Sequence, residues 1–127
     1  EAKAAGGTTD DVVSRMLMSF LELVAEEPEI ARTYYVEVYA AGQEALERRV
    51  AIQMAQADTV MSLIDFKEEQ RFLVQVAMAS LGAVVTQFVS LGQTEHVTSV
   101  HGQLLEFLRA TFRGADIPLD VPARPAA

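Results

Sequence analysis

A chain of 127 residues is one domain by length, and with 50% hydrophobic residues it has the material for a core rather than the composition of a disordered segment. Its net charge is -8 and its 10 Lys and Arg are scattered, which excludes the clustered positive charge that phosphate-backbone binding needs. The absence of cysteine excludes a disulfide scaffold and a thiolate metal site, and fits a reducing compartment such as the cytoplasm.

The opening Glu1-Ala2-Lys3-Ala4-Ala5-Gly6-Gly7 has neither an initiator Met nor a signal-peptide pattern, so residues 1–8 read as a remnant or linker of something longer. From there to residue 114 everything reads as helix. Thr8-Thr9-Asp10-Asp11 offers N-cap oxygens and first-turn acids. Val13, Met16, Leu17, Phe20, Leu21 and Val24 then recur at three- and four-residue steps, the stripe of an amphipathic helix. Pro28 suits the first turn of a second helix, carrying Ile30, Tyr34, Tyr35, Val38 and Tyr39, with Gly42 as its C-cap. A third runs from Gln43 to Ile64 with Leu46, Val50, Met54, Ala57, Met61 and Ile64 as its stripe.

Asp65 with Glu68 resembles a capping box opening a fourth helix, which Gly92 closes. Thr94 caps a fifth, striped by Val97, Val100, Leu104, Leu108, Thr111 and Phe112 and ended by Gly114. Residues 115–127 hold three of the four prolines and show no periodicity, the signature of a flexible tail. With no sustained strand alternation, the fold class is all-α, with five helices in one domain over residues 9–114.

The fourth helix stands apart. From Phe72 to Thr94 there is no charge, which is long enough for a bilayer span. Gln75, Ser80, Thr86, Gln87, Ser90 and Gln93 interrupt it, and neither a Lys/Arg asymmetry nor a Trp/Tyr belt flanks it. A soluble helix that is apolar all round is buried on two sides, and no membrane is implied. Ala79, Gly82, Ala83, Thr86 and Ser90 form a small-residue stripe, while Phe72, Val76, Met78, Leu81, Val85 and Phe88 supply bulk elsewhere. The small face can receive either a second copy of the chain or the fifth helix of the same chain.

Catalytic groupings are missing from this pattern. His96 and His101 are five apart, about 140° around one helix, and do not converge on a metal. The serines sit in no nucleophile motif, and Glu26-Glu27 and Glu68-Glu69 are helix-start acids rather than facing carboxylates. The residues point to a non-enzyme without metal or cofactor. What they do offer is adaptable apolar surface: Met16, Met54, Met61 and Met78, with Phe20, Tyr35 and Tyr39 beside them. Each one alone suits ordinary core packing, but as a set they suit a pocket between helices, with Tyr35, Tyr39 and Gln75 as its polar contacts. Tyr34 points about 100° away from Tyr35 and is expected against a neighbouring helix.

The run "FLELVAEEPEIARTYYVEVYAAGQEALERR" resembles the C-terminal regulatory domain of TetR-family transcriptional regulators, with Phe20, Pro28, Glu37, Gly42 and Leu46 matching that pattern. "EEQRFLVQVAMASLGAVVTQFVSLG" and "TEHVTSVHGQLLEFLRATFRG" resemble the family's antiparallel dimerisation pair. The resemblance covers residues 9–114. It implies the sensor half of a repressor, with a small hydrophobic or aromatic effector held by Met16, Phe20, Tyr35, Tyr39, Met54, Met61, Gln75 and Met78. It also implies a homodimer built as a four-helix bundle through Ala79, Gly82, Ala83, Thr86, Leu104, Leu108 and Thr111. The family's basic helix-turn-helix is absent from these residues, so DNA would be reached only through a missing N-terminal domain. The alternative from another class is a stand-alone helical interaction module or carrier of lipid or other hydrophobic ligands.

Overall fold

In the computed structural model, which describes residues 7–123, the first helix starts at a reciprocal cap. The Thr8 N–H donates to Asp11 Oδ2 at 3.0 Å, and the Asp11 N–H donates to Thr8 Oγ1 at 3.2 Å. Two of the N–H groups that a helix start leaves unpaired are thereby satisfied. Helix α1 (Thr9–Glu26) buries Val13, Leu17, Leu21 and Val24 of the stripe expected from spacing, with Met16 and Phe20 half-buried and Val12 buried in addition. Pro28 occupies the first turn of α2 (Pro28–Tyr35).

Helix α2 is shorter than its pattern implies. After Tyr35 the chain tightens into a 3-10 turn, Glu37–Ala40, in which Ala41 N–H donates to Val38 O at 3.2 Å. Gly42 is therefore not the end of α2. It is the N-cap of α3 (Gln43–Leu63), with φ 98° and ψ 178°, a backbone region that glycine alone occupies readily.

The fourth helix, α4 (Arg71–Ser90), follows another 3-10 turn, Glu68–Gln70. Its start also departs from expectation. The reciprocal contact is Lys67 N–H to Gln70 Oε1 at 2.8 Å, while Glu68 is drawn 2.7 Å from the Arg71 Nε. Arg71 also pairs with Asp58 of α3, tying the two helices. At the far end Gly92 (φ 67°) closes α4 as its spacing implies: Gln93 N–H donates to Phe88 O at 2.8 Å and Gly92 N–H to Val89 O at 3.1 Å.

Thr94–Val100 forms a 3-10 segment before α5 (His101–Gly114), so the fifth helix is regular only from His101. Gly114 ends it, as its spacing implies. Asp116 takes the left-handed turn at φ 59°, and Ile117 N–H closes back on Phe112 O at 2.8 Å.

Residues 115–123 are not the flexible tail that their prolines suggest. Ile117 and Leu119 are buried, Thr9 N–H donates to Val121 O at 2.8 Å, and Asp10 N–H donates to Leu119 O at 2.9 Å. The first turn of α1 has amides without helical partners, and the C-terminal carbonyls supply them. Residues 1–6 and 124–127, the rest of the linker and tail, lie outside the described residues.

The core runs from α1 through α4 to α5, with Leu21, Val85 and Val97 fully enclosed. Helix α1 packs on Thr94–Val100 and α5, while α2 and α3 pack on α4. The all-α class of the sequence reading is the observed one. Helix α4 with the turn before it is apolar enough by length and composition to cross a membrane, and 28% of that window is buried within the single chain. Val74, Ala77, Gly82, Val85 and Val89 face inward, whereas Phe72 (74% exposed), Val76, Ala79 and Ala83 face out.

Candidate functional site: a cavity walled by all five helices

The inner faces of the helices do not close completely on one another. They leave a cavity of about 310 Å³, partly open to solvent, at the small end of the range of ligand sites. Val13, Met16, Leu17 and Phe20 of α1 form one wall, and Val74, Ala77, Met78, Leu81 and Gly82 of α4 another. Leu108 and Phe112 of α5 close one end, and Tyr34 and Tyr35 of α2 border it as well. The polar groups come from α3, whose Gln53, Gln56 and Thr59 line the cavity beside Val60.

The aromatic end is a chain of edge contacts. The Phe20 and Tyr35 rings lie 6.5 Å apart at 68°, and those of Tyr34 and Tyr35 lie 4.8 Å apart at 75°. Both geometries place ring edges on ring faces, the favoured electrostatic arrangement. A Cβ added at Gly82 would stand 3.4 Å from the Tyr35 ring, so the absent side chain leaves that ring room against α4. Burial pushes the Tyr35 hydroxyl up to about 12, with Tyr34 beside it adding to the rise. Burial also raises Tyr34, while the Arg49 guanidinium acts in the opposite direction.

Of the residues expected to bind a ligand, Met16, Phe20, Tyr35 and Met78 line the cavity. Tyr39 (61% exposed) and Met54 (53% exposed) do not. The 3-10 turn explains Tyr39: each residue there rotates about 120° instead of about 100°, which carries it off the face of Tyr35. Met54 lies about 100° around α3 from Gln53, which takes the inward place. Met61 is buried but outside the lining, and Gln75 is half-buried outside it. The spacing overlooked Tyr34 and Val60, and also Gln53, Gln56 and Thr59, because a stripe chosen for apolarity passes over polar residues that border a cavity. The signal was present as the 4-3-4 spacing of Arg49, Gln53, Gln56 and Val60.

The residues expected at a dimer contact divide between two sides. Ala79 and Ala83 are exposed on the outer face of α4. Thr86, half-buried, donates its hydroxyl to Gly82 O at 2.7 Å, and Thr111 donates to Phe107 O at 2.8 Å. Gly82 faces Tyr35, and Leu104 and Leu108 are buried within their own chain, Leu108 against the cavity. On α5 the exposed residues include Gln103, Phe107, Ala110 and Gly114, an uncharged stripe with Gly102, Glu106 and Arg113 exposed beside it.

Neither histidine faces the cavity. His101 Nε2 is 3.1 Å from Ser14 O, linking α5 to α1, and His96 lies on the surface beside Glu95. Among the described residues no group of three His, Cys, Asp or Glu is placed to hold a metal ion. Compared with protein-family models, curated proteins and solved structures, the chain matches none of them.

Proposed function

We propose that this domain is the ligand-sensing and dimerisation half of a TetR-like transcriptional repressor, with a small hydrophobic or aromatic effector in the cavity and a second copy on the outer α4–α5 face. The observation that carries this reading is the double use of α4. Ala77, Met78, Leu81 and Gly82 line the cavity, and Phe72, Val76, Ala79 and Ala83 on the same helix stand bare. An exposed, uncharged face, apolar from Phe72 to Ala83 and continued by Gln87 and Ser90, is a surface that a symmetric copy can cover. A ligand that fits one placement of α4 better than another would then shift the arrangement of the two copies, and with it the spacing of DNA-reading segments outside these residues. On this reading the protein is not an enzyme, acts in the cytoplasm and needs no cofactor.

Light scattering at micromolar concentration tests the dimer. The 13.9 kDa chain should run at twice its mass, and Ala83→Glu should run as a helical monomer. The new carboxylate would be solvated in the monomer but buried without a partner in the dimer. A monomeric unmodified chain overturns the dimer. Titration with an apolar fluorescent probe tests the cavity: saturable binding of one probe per chain is expected, and Val60→Trp should abolish it by filling the space. Binding that survives Val60→Trp overturns the cavity as the site.

A further inference from the structure

We propose that the cavity takes an anionic amphiphile, a carboxylate with an apolar body, whose head is bound by Arg49 and Tyr34; this rests on the reading of the cavity as a binding site. Arg49 differs from the other arginines that the fold engages. Arg32, Arg48, Arg71 and Arg109 each lie beside a carboxylate, whereas among the described residues none pairs with Arg49. Its guanidinium carbon instead lies 5.2, 5.7 and 5.4 Å from the ring centres of Tyr34, Tyr35 and Tyr39, and Nη1 donates to the Tyr39 hydroxyl at 2.9 Å. The rings hold the cation through their faces without neutralising it.

Two polar atoms here, Arg49 Nε and the Tyr34 hydroxyl oxygen, are buried and make no well-formed hydrogen bond, although the Arg49 guanidinium acts on the Tyr34 oxygen as a nearby donor. Leaving such groups unpaired is unfavourable, and both can donate. A ligand oxygen would satisfy them, and a negative charge on it would balance the guanidinium. A planar carboxylate suits the guanidinium edge that Nε belongs to. The position fits as well. Tyr34 borders both the inner cavity and an outer cleft between α2 and α3, while Arg49 lines that cleft. One turn further along α3, Gln53 already lines the inner cavity. A head at Arg49 would place its apolar body in the inner cavity by way of Tyr34, the residue that borders both spaces.

The test compares matched acids and alcohols on the purified chain by calorimetry at neutral pH: decanoate against decanol, and cinnamate against cinnamyl alcohol. The acid of at least one pair should bind about tenfold more tightly than its alcohol, as a charge-assisted hydrogen bond to a buried cation implies. Arg49→Met should erase that preference while alcohol binding persists, and Arg49→Lys should keep part of it. If Arg49→Met does not fold, Tyr34→Phe, which keeps the ring and removes one donor, should reduce the preference several-fold. Alcohols binding as tightly as acids, or a preference that survives these substitutions, overturns the anion site and leaves the cavity intact. If no acid or alcohol binds, this proposal is overturned, while the probe titration decides the cavity reading separately.

Discussion

Tyr35 shows how one residue is bound to the surrounding packing. Its ring is enclosed by Phe20, Tyr34 and the bare backbone at Gly82, and burial pushes its hydroxyl up to about 12. The folded state thus prefers the neutral phenol more strongly than the unfolded chain does. The resulting stability is fully present below the unfolded value near 10 and is lost as pH rises toward 12. Tyr35→Phe keeps the ring and removes the titration. Unmodified chain should therefore lose up to about 2 kcal/mol more than Tyr35→Phe across that window. Urea midpoints measured for both proteins from about pH 9 upward check this, and equal losses would mean that Tyr35 is solvated. The enclosure was partly legible: the one-turn spacing from Tyr35 to Tyr39 is visible in the sequence, and Tyr35 is where the pattern puts it. Tyr39 is not, because whether eight residues go on as α-helix or tighten into a 3-10 turn depends on tertiary packing.

At the level of elements, α1 and the end of α4 could be read because their signals are local. A Thr-x-x-Asp cap opens one, and a glycine in left-handed geometry closes the other. Helix α3 was legible in extent but not in phase. Ala57, Met61 and Ile64 are buried as the stripe requires, yet Val50 and Met54 are exposed while Gln53 and Gln56 face the cavity. A hydrophobic stripe marks the inward face only where that face is dry, and this one borders a cavity with polar contacts. Gly42 matters to the same helix for a different reason from the one its position suggested. With φ 98° and no atom within 4 Å of a would-be Cβ, its constraint is backbone conformation rather than space. Gly42→Ala should therefore destabilise the fold by about 1–3 kcal/mol without altering ligand contacts. Thermal denaturation of the variant checks this. An unchanged midpoint would show that the turn relaxes freely.

For the molecule as a whole, what sequence reading could not supply was the closure of the chain on itself. Nothing local announces that residues 117–121 will lie against residues 9 and 10, since the pairing spans almost the full chain. Arg109 of α5 strengthens the same junction. Its Nε and Nη2 meet the two Asp10 carboxylate oxygens at 2.8 Å each, a bidentate pair about 70% buried on both sides. Hydrogen bonding from Arg109 holds the Asp10 carboxyl below its usual value, despite the opposing effect of burial. The charged form is thus favoured by folding. Its contribution is present above the unfolded carboxyl value and is lost as pH falls through the lower folded one. Asp10→Asn should consequently be less stable than the unmodified chain at neutral pH, by loosening α1, α5 and the C-terminal segment together. The gap should close as the solution is acidified through the lowered folded value, where the native carboxyl too becomes protonated. Urea denaturation of both proteins at neutral and acid pH measures this. A gap that stays constant with pH would assign the Asn effect to lost packing or geometry rather than to the ion pair.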